Sequence, residues 1–142
     1  MKTKKLLFIL LVAAMLVSAV ALTAAAEGDV PMWVTGVRLA YNGRSSSSPD
    51  RVVALVHVRD ANKAAVEGAT VTAEWTLPGG ATVVATAETE FQGIASFTIW
   101  AGRGEYKLCV QDVVKDGWAY DESLNLETCG TIDITVPFSP GK

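Results

Sequence analysis

Short runs of alternating apolar and polar residues, separated by turn formers, predict an all-β sandwich for this chain. Three observations carry that reading. No long segment after residue 30 keeps a helical apolar period. Val, Ile, Thr and aromatic residues recur in alternation, as strands require. Turn formers fill the gaps, as in Leu77-Pro78-Gly79-Gly80 and Gln92-Gly93.

Residues 33–41 form the first expected strand, with Val37, Leu39 and Tyr41 on one face. Residues 42–50 are polar and hold four consecutive serines, Ser45 to Ser48, which read as an exposed loop. In 51–59, Val52, Ala54, Val56 and Val58 share one side, and Val53, Leu55 and His57 the other. A strand apolar on both faces belongs in the middle of a sheet. After a turn-rich connection over 60–68, residues 69–76 place Val71, Ala73 and Trp75 on the core side. Thr70, Thr72, Glu74 and Thr76 face solvent. Residues 81–89 are a weaker, Thr- and Ala-rich strand. In 94–100, Ala95, Phe97 and Ile99 point together; in 105–114, Tyr106, Leu108 and Val110 do so. A longer loop is expected over 115–126, holding Trp118 and Tyr120. The last strand, 127–136, turns Ile132, Ile134 and Val136 inward, and 137–142 are a tail. Seven strands in about 110 residues are the size of an immunoglobulin-like sandwich.

The first 26 residues have a different character. Lys2, Lys4 and Lys5 precede an apolar run over 6–22 that ends in Thr23-Ala24-Ala25-Ala26. A basic start, an apolar middle and small residues before a cut are what a secretory signal requires. The expectation is a cleaved signal over 1–26, one domain over 27–136 and release outside the cell or at its surface. An uncleaved run over 6–22 would act instead as a membrane anchor, at the short end for a span of about 17 to 25 residues. Loss of the three lysines moves the formal charge from −3 to −6. That balance, with no Lys/Arg cluster along the mature sequence, argues against nucleic acid or an anionic membrane as partner.

Export changes the meaning of Cys109 and Cys129. In an oxidising compartment a pair of cysteines points to one disulfide. Alternation places both on the outward side of the last two strands, as a cross-strand bridge needs. Free thiols, or a metal site with His57, are the alternatives; a metal usually needs three or four ligands.

Chemistry is harder to find. His57 is the only histidine, no G-x-S-x-G sequence is present, and a half-buried strand histidine is the simpler reading. Carboxylates gather at Asp112, Asp116, Asp121, Glu122 and Glu127, with Asn125. Within that group Asp116, Asp121, Glu122 and Asn125 are a weak calcium candidate, because their spacing does not follow the D-x-D-x-D-G loop. No pair of carboxylates is singled out for glycoside hydrolysis. No cofactor is expected. Exposed Trp118, Tyr120 and Trp100 are the candidate contact residues, since Trp and Tyr stack on sugars or anchor protein interfaces. The alternative is that these rings plug the open end of the sandwich.

One succession of motifs goes further. Val58-Arg59-Asp60 leads to Val66-Glu67-Gly68-Ala69-Thr70-Val71, then Gly93-Ile94-Ala95-Ser96-Phe97, then Gly104-Glu105-Tyr106-Lys107-Leu108-Cys109-Val110. This order resembles bacterial extracellular immunoglobulin-like modules: the invasin-type Big domains and the carboxypeptidase-regulatory-like and Cna-B-like sandwiches. It covers residues 51–136. The resemblance implies a non-catalytic module that spaces, stabilises or adheres, with an extracellular protein or a cell-surface polysaccharide as partner. The Lys needed for a Cna-B-type isopeptide crosslink is absent from the first strand, which offers Arg38. A carbohydrate-binding module is the second functional reading, and a small secreted enzyme or protease inhibitor the third.

Overall fold

Alternation becomes strand at every expected place, and at one more. The computed structural model describes residues 29–43 and 50–135; the expected signal segment, Ser45 to Ser48, Val136 and the tail lie outside the described residues. The strands are β1 (Val30–Asn42), β2 (Arg51–Asp60), β3 (Thr70–Thr76), β4 (Thr82–Glu88), β5 (Ile94–Trp100), β6 (Gly104–Val114), β7 (Trp118–Tyr120) and β8 (Cys129–Ile134). The described strands thus number eight, not seven: part of the loop expected over 115–126 is β7.

Two four-stranded sheets form, in the orders β5-β2-β1-β7 and β4-β3-β6-β8. Every neighbouring pair is antiparallel except β1 with β7, which is parallel. The inward faces meet as a β-sandwich. Val52, Ala54, Val56 and Val58 of β2 pack against Val71, Ala73 and Trp75 of β3, with Ala95 and Phe97 of β5 and Tyr106, Leu108 and Val110 of β6 in the same core. Trp75 is the largest of the fully buried side chains. β2 lies between β5 and β1, as its two apolar faces require. β4 is an edge strand with Val83 and Val84 exposed, which accounts for its weaker pattern.

Two bulges keep the core continuous. In β1 the register slips between Val34 and Gly36, leaving Thr35 as the extra residue. Met32 and Val34 face inward before it, and Val37, Leu39 and Tyr41 after it. Unbroken alternation would have sent Trp33 and Thr35 inward with Val37; the bulge turns both out. In β6 the extra residue is Gln111, so Val110 and Val113 both reach the core.

β7 begins a strap that follows β1 along its second edge. Val30 N donates to Gly117 O at 3.2 Å, Asp121 N to Met32 O at 2.9 Å and Leu126 N to Val34 O at 3.0 Å. Beyond Met32, where the pairing with β7 ends, side chains join in. Val34 N donates to Asn125 Oδ1 at 2.8 Å and Val37 N to Glu127 Oε2 at 3.0 Å. The strap then enters β8 so close to β1 that a Cβ on Gly130 would lie 2.5 Å from Val37 O.

The strap's far end is covalently fixed. Cys109 and Cys129 are direct partners in the β6–β8 register and form a disulfide, with Cα atoms 4.1 Å apart. The bridge encloses the whole strap. Reducing it, or replacing both cysteines by alanine, should lower the unfolding free energy by about 2–4 kcal/mol. Denaturant titration with and without reductant measures this, and the double variant should be insensitive to reductant.

Candidate binding groove on the outer face of the first sheet

The expected contact residues do not form one surface. Trp118 and Tyr120 alternate on one side of β7 with exposed Ala119 between them, and both are half-buried against the core. Strand geometry therefore makes plugs of residues expected on an exposed loop. The Lys115 ammonium lies 5.1 Å from the centre of the Trp118 ring, and it donates to Glu67 O. The Tyr120 hydroxyl accepts from Asn125 Nδ2 at 2.8 Å. Burial raises its pKa above 10.0, while the Asn125 hydrogen bond pulls the other way.

Trp100 is 66% exposed, but it ends β5, at the opposite edge of the sheet from β7. It also sits at the opposite end: Trp100 is level with Arg51 and Asn42, Trp118 with Val30. The Arg51 guanidinium stands 5.4 Å from the Trp100 ring centre. One ligand cannot span these rings as a flat platform.

The calcium candidates are also dispersed in role. Asn125 uses its amide on β1, Tyr120 and Thr128. Asp121 caps the 3₁₀ turn Glu122–Leu124 by accepting from Ser123 N. Asp112 accepts from Val113 N, and Glu127 from Val37 N. Asp116 and Glu122 are exposed. Among the described residues no three of His, Cys, Asp or Glu gather as metal ligands. The disulfide takes both cysteines away from any site with His57, which stands on the other sheet.

A different surface is concave and chemically mixed. On the outer side of β1 and β2, Trp33, Thr35, Arg59, Lys63 and Leu126 line a groove of about 460 Å³. Trp33 and Arg59 are direct cross-strand partners. Lys63 is placed by the turn that follows β2: Asp60 Oδ1 accepts from Asn62 N and Ala64 N, and Lys63 N donates to Asp60 O at 2.9 Å. That turn holds Lys63 at φ 63°, a left-handed conformation that few non-glycine residues adopt. Its return is anchored by buried Val66, by Val66 N donating to Val58 O, and by Thr89 Oγ1 donating to Val66 O at 2.7 Å. Leu126 arrives on the strap and is 74% exposed, large for an aliphatic side chain held by a backbone hydrogen bond.

Charge is segregated between the two outer faces. Alternation and the Thr35 bulge bring Arg38, Arg51 and Arg59 to the outer side of β1 and β2. From the strap, Glu127 reaches this region and engages Val37 N beside Gly36. The opposite sheet turns out Glu74, Glu88, Glu105 and Asp133 against Lys107. His57 records the field: its pKa is lowered below 6.5 first by burial, then by Arg59 and Arg38. No Lys/Arg cluster is visible along the sequence because these arginines come to one face only through the β1–β2 ladder.

Trp33 and Lys63 were not evident beforehand as site residues. The available signal was Gly36 within a strand pattern, which marks a bulge and a possible reversal of facing. Compared with known proteins, the chain matches no family model, no curated protein and no solved structure.

Two outcomes follow from this geometry. Asn125→Ala strips partners from Val34 N and the Tyr120 hydroxyl, and should destabilise by about 1–3 kcal/mol. Asn125→Asp, which keeps the acceptor for Val34 N, should lose less in the same denaturation assay. His57 should titrate below 6.5 by NMR. Its unfolded form takes up a proton first, so its contribution to stability is lost as pH falls from 6.5 toward the folded-state pKa. His57→Gln should remove that part of the pH dependence.

Proposed function

We propose that this chain is an exported, non-catalytic immunoglobulin-like module that binds an extracellular partner through the outer face of its β5-β2-β1-β7 sheet. The strand order supports the immunoglobulin-like reading. β1, β2 and β5 take the places of strands A, B and E, and β4, β3, β6 and β8 those of C′, C, F and G. The disulfide supports an oxidising compartment. The motif order that resembles Big-type and Cna-B-like modules supports a binding or adhesive role at the bacterial surface.

The observation that carries the binding role is the groove at Trp33. It combines an aromatic, an exposed aliphatic and two cations in about 460 Å³, within the roughly 300–1,000 Å³ range of ligand sites. On this reading the contact surface centres on Trp33; the packing of Trp118 and Tyr120 against the core supports that choice over those two rings.

Retention on whole cells and on insoluble polysaccharides tests the reading. Trp33→Ala should keep the fold, by circular dichroism and denaturation, and lose most retention. Trp100→Ala should retain normally. Full retention by folded Trp33→Ala would refute the assignment of the surface.

A further inference from the structure

We infer that the Trp33 groove takes a sugar residue bearing a carboxylate, as in a uronic-acid polymer. This rests on the binding-module reading above and names the ligand class of the same groove.

The inference comes from what the lining residues still have to offer. Thr35 Oγ1 already donates to His57 O, at 3.4 Å. Among the described residues, the Trp33 indole N–H, the Arg59 guanidinium and the Lys63 ammonium have no hydrogen-bond or ion-pair partner. All three are donors only. Thr35 Oγ1 can still accept from one ligand donor, and the lining sets two cations against no carboxylate. A ligand that satisfies it is anionic and rich in oxygen.

Trp33 and Leu126 add the second requirement, an apolar surface on the ligand. Trp100 and Trp118 each have a cation near the ring, whereas Trp33 has no ring contact among the described residues. Its ring is thus available to a ligand. A pyranose presents C–H groups on its faces and oxygens around its rim, and a uronic acid adds the carboxylate. Inorganic phosphate meets the charge but not the apolar requirement, and a neutral sugar the reverse. An acidic peptide has the charge, but poly-glutamate's flexible carboxylate arms offer no flat C–H face for the Trp33 ring.

The position of Lys63 fits this use. A left-handed lysine is held by the Asp60 turn although glycine would adopt that conformation without strain. The side chain gained at that point is the second cation of the groove.

Isothermal titration of the purified full chain with polygalacturonate tests the inference. The comparison probes are the same polymer after carboxyl reduction, and poly-glutamate. Binding should be seen with polygalacturonate and fall at least tenfold after carboxyl reduction. Arg59→Gln and Lys63→Gln should each weaken it by about tenfold, as loss of one charge-assisted hydrogen bond does. Trp33→Ala should weaken it further, and Trp100→Ala should leave it unchanged. Equal binding of the reduced polymer would overturn the carboxylate requirement, and equal binding of poly-glutamate the sugar. No polymer binding, with Trp33-dependent retention on cells intact, would overturn this inference and leave the module reading standing. Loss of both would sink both.

Discussion

The second edge of β1 is the constraint on which the rest of the molecule depends. β2 satisfies one side of that strand; the other side presents backbone groups that need partners. The strap answers in three ways along its length. It supplies a parallel strand at β7, backbone hydrogen bonds to Met32 and Val34, and the Asn125 and Glu127 side chains beyond the end of the β7 pairing. Trp118 and Tyr120 fill the side of the core that this path covers. The disulfide fixes the strap's exit against β6, and Gly130 allows its close passage by β1. Trp118, Tyr120 and Asn125, expected to bind a ligand or calcium, all serve that edge.

The bulge at Thr35 acts on both faces of the sheet. One extra residue reverses the facing of everything before it in β1. Met32 and Val34 thereby join the core, and Trp33 moves onto the solvent side opposite Arg59. A single backbone irregularity thus serves the packing of one face and the chemistry of the other. The same ladder gathers arginines distant in sequence onto one surface, while acidic residues collect on the opposite sheet. Net charge alone describes neither face.

Most of the fold was legible in the sequence because period-two alternation reports facing directly. Val52 to Val58, Val71 to Trp75 and Tyr106 to Val110 face as their pattern requires, and so do Cys109 and Cys129. β7 was hidden because a three-residue strand is too short to show alternation, and its pairing partner lies far away along the chain. Trp33 was hidden for a different reason: a bulge adds one residue without changing composition. Its only trace is Gly36. Trp100 was correctly read as exposed, but exposure did not reveal that it stands at the opposite corner of the sheet from Trp118. Lys63 was illegible, since its place in the groove depends on a turn built around Asp60.

The strap also sets an order of assembly. Asn125 is 91 residues beyond the backbone amide it receives from Val34. Pairings of such long range close late, because the intervening chain must first be organised. The β1–β2 hairpin needs only its own neighbourhood, whereas the outer edge of β1 stays open until residues near the end of the domain arrive. A domain that emerges N-terminus first therefore cannot complete this sheet until its last strand is out. The topology itself holds the first sheet unfinished until residues from the far end of the domain lock its edge.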